Sequence, residues 1–215
     1  KGSGGDLGDI DPPGLPAVRL GPIRHMATLD ALSDEEMVNA QRINLLDASA
    51  PNPSVETLLH AFLPHKFVDH THANAVLALS DQEGGDDLCR EVYGPRMGYV
   101  PYIMPGFALA KKAKEVFEAD PDVEGLILLK HGIFTFGETA QQAYERMIHM
   151  VTLAEDRIDA RRTRTIVPAD IPGGIASAAQ VAPILRGLCA EKTGDDFRRL
   201  VMDFRTSDAI RAFVD

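Results

Sequence analysis

The sequence predicts an α/β domain, and three observations predict it. Residues 123–129 form an apolar run closed by Asp120-Pro121-Asp122 on one side and Lys130-His131-Gly132 on the other, the pattern of a fully buried strand. Residues 66–72 and 133–136 are two further β-forming stretches. Between and after these strands the period changes: Ala143, Met147, Met150, Val151, Ala154 and Ile158 recur near helical spacing, so one face of a long helix is apolar.

Taken in order, the chain opens on Lys1-Gly2-Ser3-Gly4-Gly5, which composition alone reads either as a flexible tail or as a glycine-rich turn whose amides are free to hold an anion. Prolines and glycines over residues 9–16 mark a loop, and residues 17–20 read as a short strand. Ser33-Asp34-Glu35-Glu36 has the form of a capping box, which predicts a helix to about residue 46. Pro51-Asn52-Pro53-Ser54 is a turn, and Ser54 is placed to cap a second helix carrying Glu56, Leu59, His60 and Leu63. Glu56 and His60, four apart, then project from one side of that helix, and Pro64 ends it.

The strand 66–72 follows, then helical segments 73–80 and 86–92 separated by the polar loop 81–85. Residues 97–103 read as a strand, confined to a sheet edge by Pro101. An amphipathic helix spans 107–119, and the buried strand 123–129 and the strand 133–136 precede the long helix, which starts at Thr139 and runs to about 161. Pro168, Pro172, Gly173 and Gly174 look like a linker, and beyond it come a helix at 177–192, a strand at 198–204 and a helix starting after Thr206 or Ser207.

A length of 215 residues with 45% hydrophobic content suits one substantial domain with a small appendage. The net charge of −10 disfavours a general affinity for nucleic acid, and the cluster Arg161, Arg162 and Arg164 reads as the solvated end of a helix. No apolar run approaches the roughly 20 residues that span a bilayer, which gives a membrane reading no support. Cys89 and Cys189 stand far apart and outside any C-x-x-C pair, the pattern of reduced thiols in a cytoplasmic protein.

Seven histidines occur, and four of them, His60, His65, His70 and His72, fall in one short region. His70 and His72 are two apart at the end of a strand, so their side chains point the same way, roughly 7 Å apart at about 3.3 Å rise per residue. Paired histidines are often ordinary core residues. His131, ending a second buried strand, adds a third imidazole, and three neutral imidazoles with one open position describe a catalytic zinc site. Glu56 is then a fourth ligand, a general base, or a solvated helix residue.

Pro53-Ser54-Val55-Glu56 with His60 one turn later, His70-Thr71-His72, and Leu129-Lys130-His131-Gly132 before a Gly137-Glu138 turn and a long helix together resemble the class II aldolase/adducin family. The start Lys1 to Leu7, the run Leu32-Ser33-Asp34-Glu35-Glu36-Met37 and the run Glu56 to Pro64 are similar to the aldolase part of bifunctional rhamnulose-phosphate aldolase/short-chain dehydrogenase proteins. The resemblance covers most of the chain through about Arg162, and the tail from Val181 resembles the start of the segment joining the two parts.

The resemblance implies a three-layer α/β fold, with a central mixed or antiparallel sheet flanked by helices. It places the aldolase-like domain at residues 1–165, lacking the family's earlier strand with its Gly-Asn-x-Ser turn, and a linker with the start of a C-terminal extension at 166–215. It further implies that His70, His72 and His131 bind Zn2+ or another divalent metal, and that Glu56 is the acid/base and can also ligate the metal. Gly2, Ser3, Gly4 and Ser54 match part of the family's phosphate site, with Val55 standing where a second serine is common. The implied activity is cleavage of a ketose 1-phosphate of the rhamnulose or fuculose type to dihydroxyacetone phosphate and a hydroxyaldehyde through a metal-stabilised enediolate. The implied state is a homo-oligomer, commonly a tetramer, with a small sugar phosphate as substrate. A pentulose-phosphate epimerase, a dehydratase and a metal-free adducin-like interaction module are the alternatives on this fold. Tyr93, Tyr99 and Tyr102 are candidates for a second acid/base.

Overall fold

The computed structural model describes residues 1–2, 5–6, 8–161, 176–198, 200–205 and 207. The chain divides into two compact units, Lys1–Thr163 and Arg164–Asp215.

In the first unit the chain enters through α1 (Leu20–His25) and α2 (Asp34–Ile43). The expected strand at 17–20 is reduced to a single antiparallel bridge between Val18 and Leu45, because Leu20 already starts a helix. The capping box forms as the sequence predicts: the Glu36 amide donates to Ser33 Oγ at 3.2 Å and the Ser33 amide to Glu36 Oε2 at 3.1 Å. The helix stops at Ile43, sooner than the expected residue 46. Next come α3 (Thr57–Phe62), β1 (Phe67–Thr71), α4 (Asn74–Ser80), α5 (Gly85–Tyr93) and β2 (Met97–Val100). Strand β2 stops before Pro101, whose missing N–H cannot extend a ladder, so it is shorter than the 97–103 expected. The unit closes with α6 (Phe107–Ala119), β3 (Gly125–Leu128), β4 (Gly132–Gly137) and α7 (Ala140–Ala160), the last capped by Thr139 Oγ1 accepting from the Gln142 amide.

The four strands form one mixed sheet in the order β1-β4-β3-β2, antiparallel except for the parallel pair β2/β3. Strand alternation divides the core in two. Leu126, Leu128, Phe134 and Phe136 point to one face and pack with Ile23, Leu58, Leu59, Phe107, Ala110 and Phe117 from α1, α3 and α6. Ile127 and Ile133 point to the other and pack with Val76, Cys89, Tyr93, Met147, Met150 and Ala154 from α4, α5 and α7. The result is helices, sheet, helices, as expected. Strand β2 is an edge, also as expected, and β3 and β4 are buried along their whole length because both faces are covered.

The described residues of the second unit form a helix, α8 (Ala178–Leu188), and a hairpin of β5 (Glu191–Thr193) and β6 (Asp196–Arg198). The expected helix at 177–192 and strand at 198–204 are both corrected. Gly194, at φ 63°, makes a two-residue hairpin turn with Asp195, which takes Lys192 into a strand and leaves residues 200–205 without regular structure. The linker around Pro168, the helix after Thr206, Arg162 and Arg164 lie outside the described residues.

Candidate metal centre

Four side chains from three places in the chain meet at the open end of the β1/β4 pair. Glu56 stands at the N-cap of α3, not within the helix as expected, because α3 begins only at Thr57. Its amide donates to Ser54 Oγ at 3.2 Å, and that hydroxyl lies 3.4 Å from Glu56 Oε2. Ser54 therefore steadies the glutamate rather than capping a helix.

His70 belongs to β1, where its register partner on β4 is Phe134. The imidazole stacks on the Phe134 ring, with centroids 4.1 Å apart and planes within 15°. Its Nδ1 donates to the Ile133 carbonyl at 3.0 Å, a contact that turns Nε2 toward the cluster. His72 follows β1 directly, and its ring lies 4.8 Å from that of His70 and 4.9 Å from that of His131. His131 ends the tight connection from β3 to β4, in which its amide donates to the Leu128 carbonyl at 3.0 Å.

Two backbone features make the convergence possible. A Cβ on Gly132 would stand 2.5 Å from the Thr71 carbonyl oxygen and 3.1 Å from the His72 ring, so only glycine lets β4 approach the two histidines this closely. Lys130 holds φ 60°, the left-handed turn position that rotates His131 toward β1. It is the one non-glycine residue with positive φ among the described residues, a conformation that costs a side-chain-bearing residue about 1–2 kcal/mol.

All three histidines present Nε2 to one carboxylate oxygen. Glu56 Oε1 lies 2.9 Å from His131, 3.2 Å from His70 and 3.4 Å from His72. One ligand atom from each of the four residues lies within 4.8 Å of the other three, a group that can hold a metal ion. His70 and His131 are nearly sealed and Glu56 is half-buried, whereas His72 is 55% exposed, so the group opens to solvent on the His72 side. Hydrogen bonds from His131, and then from His70, hold the Glu56 carboxyl far below the usual carboxylate range, and it is an anion at neutral pH. The donor set, imidazole nitrogens with one carboxylate around a solvent-facing opening, fits Zn2+ or a similar divalent ion. The buried Nδ1 of His131 has no hydrogen-bond partner among the described residues.

The other expected site residues divide. Gly2 forms an antiparallel bridge with Pro53, which brings the chain's start beside Ser54 and hence beside Glu56; Ser3 and Gly4 lie outside the described residues. Tyr93 is buried in the core of the α4/α5/α7 face, the Tyr99 hydroxyl donates to the Gly94 carbonyl at 2.8 Å, and the exposed Tyr102 hydroxyl donates to Met104 Sδ. None of the three hydroxyls is hydrogen-bonded to Glu56, His70, His72 or His131 among the described residues.

The family described as the class II aldolase and adducin N-terminal domain matches residues 3–158. The chain belongs to the class II aldolase and adducin family. Among solved structures, the N-terminal class II aldolase domain of a conserved protein from Thermoplasma acidophilum is 41% identical with a TM-score of 0.67, over 74% of this chain and 73% of that one. Among curated proteins, an uncharacterized oxidoreductase, YuxG of Bacillus subtilis (strain 168), is 34% identical over 223 residues, and the chain spans 31% of its length. The mixed sheet between two helical layers is thus a class II aldolase fold, carrying a Glu/His3 group able to hold a metal ion. Among the described residues no helix is long and apolar enough to cross a membrane.

Proposed function

We propose that this chain is a zinc-dependent aldolase that cleaves a ketose 1-phosphate of the rhamnulose or fuculose type to dihydroxyacetone phosphate and a hydroxyaldehyde. The observation that carries the reading is the convergence of three imidazole Nε2 atoms on one oxygen of an ionised glutamate. A metal-free interaction module does not require that arrangement.

His70, His72 and His131 would hold the ion. A divalent cation bound there supplies Lewis acidity, which favours the negative charge of an enediolate. Glu56 then has the proton-transfer role: its carboxylate is anionic, half-buried and steadied by Ser54, so it can take a proton from the hydroxyl-bearing carbon and return it. The His70 ring is fixed by Phe134 and Ile133, so its nitrogen does not turn away. Ser54, with Ser3 and Gly4 next in sequence to the bridged Gly2, would hold the substrate phosphate, whereas the Gly2 amide itself already donates to the Gly14 carbonyl at 2.8 Å. The protein would act as a homo-oligomer in the cytoplasm, and in longer relatives the aldolase would be fused to a short-chain dehydrogenase; the curated relative's much greater length and oxidoreductase name support the fusion.

The test is release of dihydroxyacetone phosphate from rhamnulose 1-phosphate and fuculose 1-phosphate by zinc-loaded protein. Glu56→Gln should lower turnover by about 100- to 10,000-fold, the usual range for a positioned acid/base. Full activity in that variant would refute the role of Glu56. Interconversion of pentulose phosphates without release of a three-carbon product would replace the aldolase with an epimerase.

A further inference from the structure

His60 stands one turn after Glu56 on α3, and its amide donates to the Glu56 carbonyl at 3.3 Å. The residue is exposed to solvent, so filling the core does not account for how its ring is held. The ring meets that of Phe134 at a tilt of 62°, with centroids 5.3 Å apart, the spacing of a favourable edge-to-face aromatic pair. A hydrogen bond joins the same imidazole to the backbone of Val68 on β1.

Phe134 is fully buried, and it is the ring on which His70 stacks at 4.1 Å. His60 thus connects two members of the candidate metal centre: Glu56 through the first turn of α3, and His70 through Phe134. The 3.2 Å between Glu56 Oε1 and His70 Nε2 depends on how α3 sits against β1 and β4. Leu58, Leu59, Ala61 and Phe62 anchor the helix in the core, but apolar burial is non-directional and does not by itself fix a position along the sheet. A ring pair and a hydrogen bond do, because both have a preferred geometry.

We propose that His60 is a positioning residue of the metal centre: its ring, held by Val68 and set against Phe134, fixes the spacing between Glu56 and His70. It acts through Phe134 and the α3 backbone. The proposal rests on the reading of Glu56, His70, His72 and His131 as a metal centre and is independent of which sugar phosphate is cleaved.

The experiment titrates metal-free wild type, His60→Ala, His60→Gln and His60→Phe with Co2+ and follows its visible absorption, which reports both affinity and coordination geometry. Phe keeps a ring against Phe134, whereas Gln keeps an N–H donor without a ring. Ala and Gln should bind Co2+ at least tenfold more weakly than wild type with an altered spectrum, in the usual range for a group that orients a metal ligand. Phe should stay within about threefold and keep the wild-type spectrum. Thermal midpoints of the metal-free proteins separate a merely structural role, which would lower the midpoint and leave Co2+ binding unchanged. If Ala does not fold, Gln against Phe decides. Ala and Gln with wild-type affinity and spectrum, or Phe as weak as Gln, overturn the proposal. A wild type that binds no Co2+ refutes the metal centre and the proposal with it. Failure of the aldolase reading alone is distinguishable: sugar phosphates are then not cleaved, while the Co2+ differences among the variants persist.

Discussion

The two units of this chain differ in what their apolar residues do. In the first, the strands β3 and β4 are covered on both faces, and Leu126, Ile127, Ile133, Phe134 and Phe136 show no exposure. In the second, none of the described residues is buried, and α8 shows Val181, Ile184, Leu185 and Leu188 along one face while Phe197 stands out from the hairpin. The contrast teaches where a functional cluster can be built. Glu56, His70, His72 and His131 come from segments far apart in sequence, and they converge because β1 and β4 are locked in register by packing on both faces. A helix and hairpin without buried side chains offer no such rigidity.

The sharpest way to break the comparison is to cut into each unit and measure denaturant unfolding. Leu126→Ala, in the centre of the sheet, should cost about 2–5 kcal/mol. A loss below about 1 kcal/mol would show that the first unit's core does not carry its stability.

The cysteines sharpen the same contrast, since Cys89 is buried in the first unit and Cys189 is exposed in the second. Burial pushes the Cys89 thiol up to about 11, and a thiol that keeps its proton does not react as a nucleophile. At pH 8 a thiol reagent should modify one cysteine per native chain, Cys189, and reach Cys89 only on unfolding. The sign for stability follows. The folded state holds the Cys89 proton where the unfolded chain releases it, so this contribution is fully present below about pH 9 and is lost as pH rises toward about 11. Tyr99, pushed up to about 12 by burial, acts in the same direction. Thermal midpoints should therefore fall between pH 9 and 11, and Cys89→Ala should flatten part of that fall.

The smallest effect is expected at Phe197, half exposed on the hairpin, where substitution by Ala should change stability by no more than about 0.5 kcal/mol. A larger loss would mean that this side chain is packed after all.

Legibility in the sequence followed the same division. The apolar run at 123–129 and the period of Ala143 to Ile158 announced β3 and α7 because two-sided burial imposes strong patterns. In the second unit burial imposes no pattern, and the turn at Gly194-Asp195, rather than hydrophobic order, decides where the strands lie. At the candidate centre, the residue types and their order suggested Glu56 and three histidines. That all three Nε2 atoms face a single oxygen was not legible, because it depends on the Ile133 carbonyl orienting His70, on Gly132 admitting a close approach and on Lys130 accepting a left-handed turn. The K-H-G sequence contained a signal for Gly132 alone, the glycine after the histidine; a lysine does not mark a left-handed turn. Ser54 differs from the helix cap that its position suggests because the start of α3 is set by the turn that closes from Thr57 to the Ser54 carbonyl at 3.0 Å, which pattern does not reveal.

The most direct test of the central claim is metal stoichiometry by elemental analysis of protein purified without chelators, for wild type and His70→Ala. The account predicts close to one divalent ion per chain in wild type and near none in the variant, with the circular dichroism spectrum unchanged. Wild type free of divalent metal, or His70→Ala retaining a full equivalent, would contradict it.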